Sequence, residues 1–408
     1  MKNIENQKKI TILSQYFYPD TAATGQLLTE LAEDMAKFKF NIKVFCGLND
    51  NGNREKLRKK EIYKNIKIRR VSFFNTSKNK KSGRIIGSIA FVKFIFFRIL
   101  FEDKQRLLFI VTNPPFLMVV GYIMKLLFKQ KYVILVHDIY PEIAEVLGYI
   151  KCRGFIARIW RFMNKKIYQK ADSIIVLSED MKNQLKNTYK KIEHKISVIP
   201  NWADENLIFP VPRKDNWFYK NNNFENKFIL MYSGNLGLFQ DLESIVEAVW
   251  FSKNKNLLLV FIGDGGKKPV LQKMATERKL ENIIFLNYLD KKDLAYSLSS
   301  ADISFISLEK NVEELCMPSK LYSIMASGRP VIAITNEKSE IAQIIKKSEC
   351  GFAIKQYDIK SIVDKIEYLY NNPKIKEKLG KNARIFFEKH FKRSIITRKY
   401  LRLLSKIL

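Results

Sequence analysis

Lys320 follows Pro318 and Ser319 in the run Pro318-Ser319-Lys320-Leu321-Tyr322, ahead of a helical stretch that closes at Ser327-Gly328-Arg329-Pro330. Pro and Ser suit a helix start, and the first N–H groups of a helix, aligned with its dipole, attract an anion. Lys320 adds a full positive charge to that seat, so the spacing reads as a phosphate site. An ordinary helix carrying a surface lysine is the plainer reading of the same residues. A second pair, His137-Asp138, ends the apolar run Tyr132 to Val136. The carboxyl ends of strands are where open α/β sheets bind ligands. Gly234, Asn235 and Gly237 follow the run Phe228 to Tyr232, and Gly263-Asp264-Gly265 follow Leu257 to Ile262. Glycines at strand ends let the backbone approach a ligand closely. Gly25, beyond the run Ile10 to Phe17, serves either that purpose or a tight turn.

These residues need strands to carry them. Ile10 to Phe17, Ile42 to Leu48, Ile66 to Val71, Leu107 onward, Tyr132 to Val136, Ser173 to Leu177 and Ile196 to Ile199 are short apolar runs separated by helical patterns. Continuous apolar strands alternating with helices predict a parallel sheet covered on both faces. Arg54 to Lys60 reads as a basic loop or short helix, and Thr112-Asn113-Pro114-Pro115 as a turn between strand and helix. Beyond Pro200 the pattern loosens through Pro210, Pro212 and Asn221 to Asn223, then restarts at Phe228 with a second series. The expected organisation is a first Rossmann-like domain over 1–205, a linker over 206–227, a second domain over 228–385, and a helix over 386–408 crossing back to the first. The segment ending at Gly25, Thr-Ala-Ala-Thr-Gly, lacks the Gly-x-Gly-x-x-Gly fingerprint, so no nicotinamide dinucleotide is expected.

A chain of 408 residues, 47% hydrophobic and 28% charged, suits two globular domains rather than disorder. Four cysteines without a Cys-x-x-Cys pair and three histidines predict neither a disulfide framework nor a metal site. The charged start, Met1 to Lys9, lacks a signal-peptide core, and a cytoplasmic location is expected. Residues 1–200 hold 38 Lys+Arg against 17 Asp+Glu, +21 of the total +31. Such a surface suits anionic lipid, nucleic acid or an anionic substrate, although a general lysine bias would also produce it. Ile85 to Phe101 is almost wholly apolar, preceded by Lys78, Lys80, Lys81 and Arg84 and interrupted by Lys93 and Arg98. It is short for a spanning helix and fits either the interface of an anionic membrane or the domain core.

In order and spacing, Tyr16-Phe17-Tyr18-Pro19, His137-Asp138-Ile139-Tyr140-Pro141-Glu142, Val198-Ile199-Pro200-Asn201-Trp202, Tyr232-Ser233-Gly234-Asn235-Leu236-Gly237, Gly263-Asp264-Gly265 and Pro318-Ser319-Lys320-Leu321-Tyr322 resemble the family 4 glycosyltransferases. Within that family the chain resembles bacterial surface-polysaccharide enzymes of the colanic-acid and L-fucosamine (O-antigen) type. The resemblance implies an α/β GT-B fold, two Rossmann-like doubly wound parallel-sheet domains facing a cleft. It also implies a nucleotide-sugar donor held by the second domain, UDP-linked and carrying an N-acetylated deoxyhexose, and transfer with retention of configuration without an essential metal or other cofactor. The implied acceptor is a lipid-linked saccharide at the inner membrane face. His137 matches the histidine that touches the donor sugar; Gly234, Asn235, Gly237, Gly263, Asp264, Gly265, Pro318, Ser319, Lys320 and Leu321 match the donor side; Gly25 and Asp138 fall on the acceptor side.

The chain also departs from the family pattern. Asn235 and Gln240 occupy the loop where many members carry an Arg and a Lys against the diphosphate, leaving Lys320, with Arg329 as a candidate helper, to supply that charge. Ser323 stands where the second of two family glutamates would contact the ribose, and Glu313 or Glu314 lies near the first; Glu314 is carried over as a catalytic candidate beside His137 and Lys320. Two other readings compete: a nucleotide-sugar epimerase of the same architecture, and a non-enzymatic basic binder of lipid or nucleic acid. The scarcity of histidines disfavours the first. No helix-turn-helix, RNP or zinc module supports nucleic acid as a partner.

Overall fold

A computed structural model describes residues 8–48, 57–71 and 81–408, with the side chains of 81–86 excepted. Lys78 and Lys80, and Arg54 with its two successors, lie outside the described residues. The chain divides into two units, 1–200 with 397–408, and 201–396.

In the first unit the strands are β1 (Lys9–Leu13), β2 (Asn41–Gly47), β3 (Lys60–Tyr63), β4 (Ile66–Val71), β5 (Leu107–Val111), β6 (Tyr132–Val136), β7 (Ser173–Val176) and β8 (Ile196–Val198). They form one sheet in the order β3-β4-β2-β1-β5-β6-β7-β8. All neighbours are parallel except β3 and β4. β1 sits centrally, with Ile10 registered between Ile42 and Leu107. Every residue of β5 and β6 is buried, as expected of strands covered on both faces. The helices are α1 (Ala23–Lys37), α2 (Lys81–Leu100), α3 (Met118–Phe128), α4 (Glu142–Val146), α5 (Phe155–Lys170) and α6 (Glu179–Thr188).

The second unit carries β9 (Phe228–Ser233), β10 (Leu257–Ile262), β11 (Ile283–Leu286), β12 (Ile303–Ser307), β13 (Val331–Ile334) and β14 (Gly351–Ile354), parallel throughout in the order β11-β10-β9-β12-β13-β14. Its helices are α7 (Trp217–Asn221), α8 (Glu243–Ser252), α9 (Lys268–Glu277), α10 (Leu294–Ser299), α11 (Lys320–Ala326), α12 (Glu340–Ser348), α13 (Ile359–Asn371) and α14 (Pro373–His390). A last helix, α15 (Arg393–Ile407), begins in the second unit, and its residues from Thr397 belong to the first. There the Tyr400 ring lies 6.4 Å from that of Phe109 on β5, and Lys131 Nζ donates to the Ile407 carbonyl at 2.5 Å. The architecture is a pair of Rossmann-like α/β units with a returning C-terminal helix.

Several local expectations change. Lys60, expected in a basic loop or short helix, opens β3, which pairs antiparallel with β4 across Lys64 and Asn65. Both turn residues have positive φ, 45° and 66°, the backbone of a tight hairpin whose twist suits its strands. Gly25, expected in a loop, lies in the first turn of α1, where its carbonyl accepts from Thr29 Oγ1 at 2.7 Å. The segment 206–227 is structured: Asn216 caps α7 through Tyr219 N, Phe218 and Phe224 are buried, and Val211 N donates to Ser299 Oγ at 3.0 Å. Along α2, Phe91, Ile95 and Ile99 are buried while Ile89, Phe94 and Phe97 are exposed. Four-residue spacing puts one set on the core, and the helix keeps a second apolar face outside.

Candidate active site

In the first unit the loops after β1, β2, β5 and β6 are joined at the carboxyl edge of the sheet. Gly47 N donates to Gln15 O and Gln15 N to Asn113 O. Thr112 Oγ1 accepts from His137 N at 3.1 Å and donates to the Asp138 carbonyl at 3.4 Å. Thr112 thus fixes the backbone of both sequence-predicted residues, a role its place in a turn did not disclose. Burial of the imidazole pushes the His137 pKa down to about 4, and burial of the carboxyl pushes Asp138 up to about 6. His137 is therefore neutral near pH 7, suited to hydrogen bonding rather than to carrying charge. With its folded pKa below the ordinary value of 6.5, its contribution to stability is present above pH 6.5 and is lost as pH falls through about 4. Gly25 is packed against Tyr16 and Asp20, where an added Cβ would meet their Cβ atoms at 3.3 and 3.4 Å. A cavity of about 600 Å³ in this unit is lined by Tyr18, Arg58, Lys60, Lys67 and Arg69 among others.

In the second unit three loops converge. Gly234 N donates to Ile262 O, Leu236 N to Asp264 O, and Lys267 N to Leu236 O. Gly263, at φ 140°, approaches so closely that a Cβ there would stand 2.1 Å from the Gly234 carbonyl oxygen. Only glycine permits that approach together with that backbone. Lys320 reaches the same spot from the start of α11: a Cβ on Gly234 would meet its Cε and Nζ at 3.4 Å. Its ammonium lies 3.6 Å from the Tyr232 ring centroid and donates to the Tyr232 hydroxyl, which itself donates to the Asn235 carbonyl at 3.0 Å. Sequence spacing did not single out Tyr232 as a site residue, although its position at the end of β9 was the available signal.

Lys320 is enclosed rather than displayed on a surface. The residue is partly exposed, yet burial of its ammonium pushes the pKa down to about 7, and among the described residues no carboxylate offsets that burial. Lys267, the nearby cation, differs: it donates to Glu243 at 2.7 Å and Glu309 at 2.6 Å, which hold its pKa up against burial. Ser319 makes no side-chain cap, and α11 has only seven residues, so the charge at this seat rests chiefly on Lys320 with its neighbouring N–H groups. Pro318 and Leu321 flank it, Leu321 fully buried. Gln240 Oε1 accepts from Gly237 N at 2.9 Å, closing its loop. Asp264 keeps its carbonyl occupied with Leu236 N and the Tyr288 hydroxyl.

Arg329 does not join this seat. It follows α11 at the amino end of β13, its guanidinium 3.5 Å from the Val211 carbonyl and near Asp302 and Arg213, with burial lowering its pKa to about 10. Glu314 is exposed, while Glu313 beside it accepts from Asn336 N at 3.3 Å and from Gln356. Ser323 is half-buried within α11. Among the described residues, no group of three or more His, Cys, Asp or Glu side chains is placed to hold a metal ion.

Lys320 also sets a pH response. An anion that does not titrate near neutrality should bind this ammonium with an affinity that holds below pH 7 and falls toward about tenfold per pH unit above it, as the free ammonium loses its proton. Titration calorimetry from pH 6 to 9 would show this, with Lys320→Met giving a weaker and flat profile. The depressed pKa means that the lysine's contribution to stability is present above its unfolded value of 10.5 and lost as pH falls through about 7.

Two Rossmann-like units, each with its sequence-predicted residues at the carboxyl edge of a mostly or wholly parallel sheet, define a two-unit α/β architecture. The model "Glycosyltransferase Family 4" matches residues 24–207 and "Glycosyl transferases group 1" matches 213–386. The chain belongs to the family 4 glycosyltransferases of GT-B fold. It is 30% identical to "Probable glycosyltransferase WbjE" of Pseudomonas aeruginosa over 59% of this chain and 60% of that one. It is 27% identical to "Putative colanic acid biosynthesis glycosyl transferase WcaI" of Escherichia coli (strain K12) over 47% of each. The matches thus span about half to three fifths of these relatives. A similar fold occurs in Anabaena Alr3699/HepE, solved with UDP and glucose, at TM-score 0.76 and 16% identity, covering 98% of this chain and 100% of that one.

Proposed function

We propose that the protein is a retaining glycosyltransferase that moves one sugar from a nucleotide-sugar to a lipid-linked saccharide during assembly of a surface polysaccharide. The observation that carries this reading is Lys320: an enclosed ammonium without a carboxylate partner, facing the glycine loops after β9 and β10. Burying a cation unpaired is costly unless an anion arrives. A diphosphate leaving group is such an anion, and it gains charge as the glycosidic bond breaks, so a fixed cation aimed at it stabilises the transition state more than the ground state. In this reading the loops of Gly234 to Gly237 and Gly263 to Gly265 receive the donor, Lys320 holds the diphosphate without an essential metal, and neutral His137 hydrogen-bonds the sugar. Asp138 lies on the acceptor side.

The name of the Escherichia coli relative, a putative colanic acid biosynthesis enzyme, supports polysaccharide assembly, and the UDP complex of the HepE structure makes UDP the first nucleotide to try. The N-acetylated deoxyhexose and the O-antigen type of product extend the same resemblance. No helix among the described residues is long and apolar enough to cross a membrane. In this reading the chain meets its lipid-linked acceptor at the bilayer surface, which the +31 charge favours on the cytoplasmic, anionic side.

A thermal-shift screen against UDP, GDP, dTDP and their sugars tests the reading, first with chelator and then with magnesium. A ligand bound only by the native state raises Tm, by about 2.7 kcal/mol of added stability at a hundredfold excess over Kd. A shift with one nucleotide series and chelator present is the expected result. Folded protein that shifts with none of them would overturn it.

A further inference from the structure

We propose that the outer stripe of α5, formed by Phe155, Ile156, Ile159, Phe162 and Met163, enters the surface of an anionic lipid bilayer. The inference rests on the reading that the acceptor is lipid-linked and identifies the face that meets the lipid. The helix has two apolar faces. Ala157, Ile167 and Tyr168 are buried, and the Trp160 ring stacks on Phe116 at 4.5 Å and on Tyr140 at 5.7 Å. The stripe points outward instead, with Phe155 71% and Phe162 63% exposed. Its positions recur at i, i+1, i+4, i+7 and i+8, one strip along two turns, where a helix facing only water carries polar groups. Scattered exposed apolar residues are ordinary; a contiguous strip of aromatic and branched side chains marks a docking surface.

Charge decides the occupant. α5 contains Arg158, Arg161, Lys165, Lys166 and Lys170 and no acidic residue. Arg161 is occupied by Glu142 and Glu145. Arg158 and Lys165 are exposed beside the stripe, and the Lys166 ammonium lies 5.5 Å from the Phe162 ring centroid. A second copy docked on this face would set like charges together. An anionic headgroup layer accepts cations around an apolar strip, the arrangement of interfacial helices. α5 packs on α3 and α3 on α2, and these helices carry exposed apolar residues of their own, Leu127 and Phe97, with Phe101 just past α2 at 89% exposure.

The helix that carries the stripe is also tied to the segment of His137, matched to the donor sugar, and Asp138, on the acceptor side. Arg161 Nε donates to Glu142 Oε1 at 2.8 Å, and Asn164 Nδ2 to the Tyr140 carbonyl at 2.7 Å, holding the segment that begins at His137 and Asp138. Membrane contact at α5 would therefore place that segment near the headgroups, where a lipid-linked saccharide emerges.

The test is sedimentation of the full chain with phosphatidylcholine vesicles, with and without phosphatidylglycerol. Wild type should bind the anionic vesicles preferentially. Phe155→Gln, Ile156→Gln, Ile159→Gln and Phe162→Gln combined should weaken binding at least about tenfold while keeping Tm and any nucleotide-induced shift. Phe155→Gln alone, the most exposed of the set, should weaken it in part. Arg158→Gln with Lys165→Gln should reduce the preference for phosphatidylglycerol. Wild-type binding by the combined variant would overturn the proposal. So would a wild type that ignores vesicles but forms a dimer that these substitutions dissolve. Nucleotide shifts are read separately, so a wild type that ignores vesicles with its shifts intact rejects the docking face and leaves the transferase reading standing.

Discussion

Lys320→Ala should lower the rate of sugar transfer by about 10²–10³-fold, the usual effect of removing one fixed group that stabilises charge in a transition state. Most of the loss should appear in kcat, because the leaving diphosphate carries more charge at the transition state than in the bound donor. The fold should survive. Burial of the ammonium opposes folding, and what it gives the folded state in return is its interaction with the Tyr232 ring and hydroxyl. Tm should therefore stay the same or rise slightly. Steady-state kinetics beside a melting curve separates the effects: turnover within threefold of wild type would remove Lys320 from the phosphate role, whereas a large drop in Tm would make the lysine structural. Lys320→Met, which keeps the stem and removes the charge, should fall as far as the alanine variant.

Gly263→Ala should have the largest effect on stability, acting through backbone rather than charge. The new Cβ would stand 2.1 Å from the Gly234 carbonyl oxygen at a φ of 140°, so either the loop after β9 or the end of β10 must move. Residues forced into such backbone cost about 1–3 kcal/mol before any clash is counted. For a unit of this size a drop in Tm of about 5–10 °C is expected. Displacing Gly234 also displaces the surface that Lys320 faces, so nucleotide-induced stabilisation should weaken as well. Gly266→Ala is the matched control, because a Cβ there meets only Leu238, at 3.8 Å. Equal melting temperatures for the two variants would show that the approach of the two loops is looser than the backbone geometry states.

Where the sequence was decisive, local pattern and covalent order were enough. Apolar runs such as Leu107–Val111 and Phe228–Ser233, each followed by a polar or glycine loop and a helix, leave few arrangements other than a covered parallel sheet. Loops after parallel strands gather at one edge, so the order of motifs already put His137 at the edge of one sheet and Gly234, Gly263 and Lys320 at the edge of the other. The Lys64-Asn65 hairpin was less legible, because its strands are four and six residues long, charged, and at the rim of the sheet, where burial leaves little apolar signature.

The tertiary structure decided what each side chain meets. Lys320 and Arg329 bracket one short helix and look alike in sequence, yet the turn after α11 carries Arg329 to the amino end of β13, beside Val211, while Lys320 closes over Tyr232. α2 and α5 each combine a core face with an exposed apolar one, a division that periodicity blurs because both faces are apolar. Composition and period report how much apolar surface a segment has; only the packed neighbours determine which part of it remains uncovered. The sequence by itself therefore settled that there are two sheets and which loops gather at their carboxyl edges, while the order of the strands within each sheet came from the structure. The enclosure of Lys320 without a counter-charge and the stripe left open on α5 came from packing, since desolvation and exposure belong to the whole fold and to no local run of residues.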